Sequence, residues 1–327
     1  MSMFCFQCEQ TAGGSGCTKR GVCGKSPETA KLQDLLVDTS KKLGWFASES
    51  RKAGKVSRDI DRFIMEALFT TVTNVNFDPE NIARMIKTGE VYLAQALAQH
   101  RELLSDHADK LNEDIPFEVK PLPDDLKSLI ETGQNLTPEI RLQAYGHDVA
   151  GLQELIMYGL KGSAAYAHHA YILGQEDDDI YAFFEQALGF LAEKPADPEQ
   201  LTTMALDVGK VNYRVMELLD QANTGAYGHP RPTKVRTTPV AGKAILVSGH
   251  DLKDLAELLK QTEGTGINIY THGEMLPCHG YPEFQKHEHL VGNYGGAWQK
   301  QKREFDGFPG AIMVTTNCIQ RPKLSYM

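Results

Sequence analysis

The sequence predicts a multi-domain chain of α and α/β class, with an N-terminal all-α domain of two related three-helix bundles followed by a Rossmann-like parallel α/β domain. Three observations carry this expectation. Apolar residues recur three and four apart from about residue 26 to 223, as in Leu32, Leu35, Leu36, Leu43 and Phe46, which is the period of a helix with one buried face. Part of that stretch repeats 120 residues further on. Beyond about residue 240 the helical period gives way to short β-like runs with helix-length spacers, the alternation that builds parallel sheets.

Residues 1–25 form a cysteine-rich segment. Of six cysteines, Cys5, Cys8, Cys17 and Cys23 fall here while Cys278 and Cys318 stand alone. In a reducing compartment such clustering points to metal rather than disulfide. Gly13, Gly14, Gly16, Gly21 and Gly24 let the backbone wrap closely around a bulky centre. Four thiolates also fill a tetrahedral zinc site. Ribbon-type zinc sites, however, pair two CxxC turns on hairpins, whereas here one CxxC is followed by gaps of eight and five residues that lead into a helix. The spacing favours iron-sulfur.

The helical domain is expected over 26–228. Ser26-Pro27-Glu28, Asp78-Pro79-Glu80, Thr137-Pro138-Glu139 and Asp197-Pro198-Glu199 each offer a capping oxygen, a proline at the first helical position and an acid in the first turn. The segment 32–54 lies without gaps on 152–174, with six of 23 positions identical. Shared caps and shared order favour a structural repeat over coincidence. Between the two copies, 112–136 carries three prolines and reads as a connection with one short helix.

Gly, Pro and Thr without helical period over 223–240 mark the boundary, and the α/β domain occupies 229–327. Its strand candidates are Ala244 to Val247, Ile267 to Thr271 and Ala311 to Thr315. Each is followed closely by a possible metal ligand: His250, Glu274 and Cys318. In a parallel sheet these ends lie side by side, so an imidazole, a carboxylate and a thiolate can meet at one centre. The plain alternatives are a helix cap at 250–251, a solvated glutamate and a buried small cysteine. His272, His279, His287 and His289 crowd the same stretch and are expected at the surface or behind the ligands. His168 and His169 are expected as packing or surface residues, and Cys278 is not expected to be a ligand.

A formal net charge of −9 argues against a phosphate-backbone partner, which needs a clustered basic face. No apolar run approaches the ~20 residues of a membrane span. The opening MSMFCFQCEQ lacks the basic start and apolar stretch of a secretory signal, so a cytoplasmic location is expected.

Beyond these readings the sequence resembles, from its first residues to its last, the hybrid cluster protein family, also called hydroxylamine reductase. The likeness rests on MFCFQCEQTAGGSGC with VCGK, on GHDLKDL, on THGEMLP followed by HGYPEF, on GNYGGAWQKQ and on TTNCIQ. It implies that Cys5, Cys8, Cys17 and Cys23 bind a 4Fe-4S cluster of the class found mainly in anaerobes. It implies further that His250, Glu274 and Cys318 are ligands of a hybrid 4Fe-2S-2O cluster at which substrate binds. The family's hybrid cluster also takes three more cysteines, one of them a persulfide, and another glutamate from a C-terminal region. The chain stops nine residues after Cys318, so a fragment with an incomplete α/β domain is expected, or a site completed by another polypeptide.

The activity implied by the resemblance is two-electron reduction of hydroxylamine to ammonia and water, with reduction of nitric oxide to nitrous oxide as the alternative. The partners implied are a small inorganic nitrogen substrate and an unidentified redox protein as electron donor, with no nucleic acid and no membrane. A carbon monoxide dehydrogenase-like enzyme, and an electron-transfer or zinc-binding fragment, are the competing readings.

Overall fold

The computed structural model describes residues 3–107 and 109–326, which divide into two compact units. One comprises the chain up to Val72 with Asn76–His168 and Glu176–Glu217; the other comprises Thr73–Val75, His169–Gln175 and the chain from Leu218 onward.

The first unit is helical. α1 (Pro27–Lys52), α2 (Arg58–Thr70) and α3 (Pro79–His107) are followed by a short α4 (Leu126–Gly133), then by α5 (Pro138–Tyr171), α6 (Asp178–Ala192) and α7 (Pro198–Tyr227), the last turn of α5 and the last ten residues of α7 being counted with the second unit. All four proline-led starts open helices. Ser26 Oγ accepts from Thr29 N at 3.2 Å, Asp78 Oδ1 from Glu80 N at 3.0 Å and Asp197 Oδ1 from Glu199 N at 2.9 Å, which satisfies backbone donors that the first turn leaves orphaned. α5 breaks its helical path at Gly146, where φ is 76° and ψ 174°.

Leu32, Leu36, Leu43 and Phe46 put the apolar face of α1 wholly inside the unit. Two facing glycines set its distance from α6. A Cβ on Gly44 would lie 2.6 Å from Leu188 Cβ, and one on Gly189 would lie 3.1 Å from Trp45 Cα. At the end of α1, Arg51 bridges two buried acids: Nε and Nη2 donate to Glu185 at 2.6 and 3.0 Å, and Nη2 donates to Asp61 at 3.1 Å. Asp61 and Glu185 are 1% and 2% exposed; Asp61 is also met by Arg58 Nη1 at 3.1 Å, so it is Glu185 that would lose its cation without the Arg51 guanidinium.

The second unit is built on a four-stranded parallel sheet in the order β3-β2-β1-β4, with β1 (Lys243–Ser248), β2 (Ile267–His272), β3 (Leu290–Asn293) and β4 (Ala311–Val314). Successive residues along each strand face opposite sides. Val247 and Ile269 pack with Leu255 and Leu259 of α8 (Leu252–Thr262), while Leu246 and Tyr270 pack with Phe305 on the other face. The sequence reading found β1, β2 and β4 but not β3. Leu-Val-Gly-Asn is four residues long and holds a glycine, too little alternation to register as a strand. That glycine is required by packing, since a Cβ on Gly292 would lie 2.3 Å from Arg236 O. No helix among the described residues is long and apolar enough to cross a membrane.

The ion network at Arg51 yields a stability prediction. Arg51→Ala, which removes the cation from Glu185 and leaves Asp61 with Arg58 alone, should cost about 3 kcal/mol in urea unfolding followed by helical circular dichroism. A loss below about 0.5 kcal/mol, the range of ordinary surface changes, would show that the network is dispensable.

Candidate functional site

The N-terminal segment folds back on itself through a single antiparallel bridge. Cys5 N donates to Cys17 O at 3.1 Å and Cys17 N to Cys5 O at 2.8 Å. Ala12 N points at Cys17 Sγ from 3.4 Å, and Thr11 Oγ1 lies 3.7 Å from the same sulfur. Burial alone would raise the Cys17 thiol, but hydrogen bonds from the Ala12 and Val22 backbones and from Thr11, with the charge of Lys25, outweigh it and hold the thiol below its usual range. Cys23 goes the other way. Burial raises it, Lys25 offsets part, and the charges of Cys5 and Cys8 raise it further, a mark of how close the other thiols stand.

Two glycines permit this wrap: a Cβ on Gly16 (φ 152°) would meet the Phe4 ring at 2.7 Å, and one on Gly21 would meet Cys23 Sγ at 3.1 Å. Four thiols, N–H donors aimed at sulfur and a buried Lys25, 1% exposed, are a donor set and a charge balance that fit an iron-sulfur cluster. Among the described residues no three His, Cys, Asp or Glu side chains converge as a ready site for one ion.

The second set lies at the carboxyl ends of β1, β2 and β4. Gly249, with φ 129°, brings the β1 loop against the β4 loop, where a Cβ would come within 2.1 Å of Thr315 Oγ1. His250 N donates to Thr316 O at 3.0 Å and Asp251 N to Thr315 Oγ1 at 3.2 Å. Asp251 caps α8 by accepting from Lys253 N and Asp254 N, so His250 is not the cap. Burial depresses the His250 imidazole, against the charge of Glu274 and a backbone hydrogen bond at Asn317, and leaves a neutral ring able to offer a lone pair.

Among the described residues, three buried polar atoms here have no hydrogen-bond partner: His250 Nδ1, Thr316 Oγ1 and Asn317 Oδ1. Unmet groups of this kind, clustered on neighbouring loops, fit a bound group that the protein itself does not supply. Glu274 is exposed. Cys318 takes a left-handed backbone, φ 49°, directly after Asn317 at φ 42°, a costly conformation for residues with a Cβ.

What holds that strained loop was missed by sequence reasoning. Asn74 Oδ1 accepts from Cys318 N at 3.0 Å, and Gln301 Nε2 donates to Cys318 O at 2.9 Å and to Ser248 Oγ at 3.1 Å. Ser248 Oγ lies 3.1 Å from His272 Nδ1, and His272 Nε2 lies 2.8 Å from Glu304 Oε2. Burial would raise the Glu304 carboxyl, but His272 and the Gly296 N–H hold it below its usual range. Hydroxyl, imidazole and carboxylate follow the order of a hydrolase triad. Ser248 is only 1% exposed, however, and its hydroxyl is engaged by Gln301, so the group serves as a frame beneath the loops.

His272 therefore stands behind the ligand candidates. His279 is likewise buried, with Nε2 2.9 Å from Thr271 Oγ1, and His289 Nε2 lies 3.0 Å from Thr262 Oγ1. The His168 ring sits 5.0 Å from Phe69. Cys278 is fully buried, and burial pushes its thiol up.

A model of the Prismane/CO dehydrogenase family matches residues 3–327. Curated relatives named hydroxylamine reductase are similar over nearly the whole chain. The one from Rhodospirillum rubrum is 50% identical over 325 residues, the one from Syntrophobacter fumaroxidans 51% over 330 and the one from Methanocella arvoryzae 50% over 325. Each alignment covers 99% of this chain and 59% of the relative, so the chain spans about three fifths of their length.

The clamp on Cys318 is testable through its thiol. Gln301→Ala removes the bond to the Cys318 carbonyl, worth ~1.4 kcal/mol, or about tenfold in loop opening. Peptide mapping of iodoacetamide labelling should show Cys318 reacting about tenfold faster while buried Cys278 is unchanged. Equal Cys318 rates in the two proteins would mean that Gln301 does not restrain the loop.

Proposed function

The chain belongs to the Prismane/CO dehydrogenase family, and on that premise we propose that it supplies ligands to two iron-sulfur centres of an oxidoreductase that reduces hydroxylamine. The observation that carries this reading is the buried, unpartnered Nδ1 of His250, which feels the charge of Glu274 on a loop tied to the one bearing Cys318. Cys5, Cys8, Cys17 and Cys23 are assigned to a 4Fe-4S cluster. His250, Glu274 and Cys318 are assigned to a hybrid 4Fe-2S-2O cluster.

When bound, the four-thiolate centre supplies electron transfer, having no open position, and the mixed-ligand centre supplies iron positions that accept an N–O ligand. The protein's own residues do the rest. Ala12 N and Thr11 on Cys17, with Lys25 nearby, favour the thiolate and soften the accumulated negative charge, which raises the potential at which an electron is accepted. Burial keeps His250 neutral and therefore a donor, and Gln301 and Asn74 hold Cys318 from its two backbone sides. The balance is NH2OH + 2 e− + 2 H+ → NH3 + H2O, with electrons from a redox protein. Names shared by relatives at about 50% identity support hydroxylamine as the substrate. Carbon monoxide dehydrogenase is the other activity in the family's description, and nickel content separates the two.

Iron, sulfide, zinc and nickel analysis of the anaerobically prepared protein, with low-temperature EPR, tests the assignment. Iron with matching sulfide and no nickel is expected; stoichiometric zinc without iron would sink it. Cys8→Ser should abolish the cubane signal and leave helical circular dichroism nearly unchanged, and an unaltered signal would remove Cys8 from the ligand set. In the protein as the cell makes it, His250→Ala or Glu274→Ala should end hydroxylamine reduction while the cubane signal persists. Retained turnover would assign the chemistry elsewhere.

A further inference from the structure

The helical unit holds a half-open cavity of about 790 Å3, none of whose lining residues is assigned to either cluster. Its volume is that of a small-molecule site. Aliphatic residues make up a large part of the wall, with Leu35, Leu93, Leu97, Ile140 and Leu191 among them.

The charges on that wall do not cancel. Each acid is already engaged: Asp38 pairs with Lys42 at 2.8 Å, Glu90 with Lys87 at 2.8 Å and Glu118 with Lys120 at 2.7 Å. Arg141 Nε is taken up by Glu154 at 3.0 Å. Lys194, also on the wall, is exposed; Lys41 is half-buried, and among the described residues no hydrogen bond or ion pair reaches its ammonium. Burial, and then the neighbouring Arg141, lower it to about 8, against Glu154, Asp38 and Asp34. A cation that lines an apolar cavity without a contact partner calls for an anion.

A second unmet group lines the same cavity. Gln153, 4% exposed, donates Nε2 to Pro195 O at 2.7 Å, and its Oε1 is buried with no partner. Glu154, next in sequence, acts on Lys41, so the two unmet groups belong to one neighbourhood. One is a charged donor and the other an acceptor.

We propose that this cavity binds an aliphatic hydroxy acid, with its carboxylate on Lys41, its hydroxyl donating to Gln153 and its chain along Leu35, Leu93 and Leu97. The carboxylate meets the cation, the hydroxyl meets the buried oxygen, and the chain replaces water against the leucines. An alcohol of equal length lacks the first contact, and a simple fatty acid lacks the second.

The test is calorimetric titration of the native, anaerobically prepared protein with 3-hydroxydecanoate, decanoate and 1-decanol. Saturable one-to-one binding is expected, about fivefold tighter for the hydroxy acid than for decanoate and at least tenfold tighter than for the alcohol. Lys41→Met should lose at least tenfold for both acids and leave the alcohol unchanged, while Lys42→Met, whose charge is spent on Asp38, should lose less than threefold. Circular dichroism melting checks that each variant is folded. Independently of any variant, bound hydroxy acid should protect Lys41 from reductive methylation in the unaltered protein. Equal affinity for acid and alcohol, or an unprotected Lys41 at saturation, overturns the proposal.

Discussion

The parallel pairing of β1 between β2 and β4 is the constraint on which the second unit's site depends. In register, Ser248 stands beside His272 on one side and beside Val314 on the other. Three strands running the same way must end at the same edge, so the segments after them are neighbours whatever their separation in sequence. Residues 250, 274 and 318 are thereby carried on segments that leave the same edge of the sheet, at the loop-closure cost the sheet has already met. The remaining work is local. Gly249 lets two loops touch, Asp251 starts α8 and leaves His250 outside it, and Gln301 ties the β1 end to the Cys318 carbonyl.

Several charges inside the helical unit obey a second constraint, that a buried ion be answered in contact. Arg51 answers Glu185 and Asp61, Arg141 answers Glu154, and Glu49 accepts from Asn112 N at 2.8 Å. Lys25 belongs to the same scheme in a different way, because its charge falls on Cys17 and Cys23. A thiol is a poor counter-charge and a thiolate a good one. At Cys17 the balance favours deprotonated sulfur, the form that binds metal, while at Cys23 burial outweighs Lys25.

What the sequence made legible was whatever is encoded locally. Ser26, Asp78, Thr137 and Asp197 mark helix starts because capping is a matter of three or four consecutive residues. β1, β2 and β4 were visible as β-branched and apolar runs. β3 was not, because Leu290–Asn293 is a strand by virtue of its partner β2 and of the room Gly292 leaves for Arg236. Of the second site, His250, Glu274 and Cys318 stood out by following strands, whereas Asn74, Ser248, His272, Gln301 and Glu304 act through hydrogen bonds across as many as 244 residues. No periodicity records such a contact. Asn74 has a left-handed backbone, φ 50°, a property that only the folded chain displays.

The two candidate ligand sets consequently differ in what they require of folding. Cys5 to Cys23 span 19 residues, and their bridge, turns and N–H···S bonds are made within that span. Such a set can order around a metal with little help, since only short loops are closed. The second set exists only after β2, β1 and β4 have paired, after 73–75 has come to Cys318, and after Gln301 has reached Ser248. Non-local pairing of this kind forms slowly. The left-handed backbone at Asn317 and Cys318 raises its cost further, and that cost is sustained by the surrounding hydrogen bonds. The segment proposed as the electron relay is thus self-contained, and the site proposed for the chemistry reports on the integrity of the whole sheet.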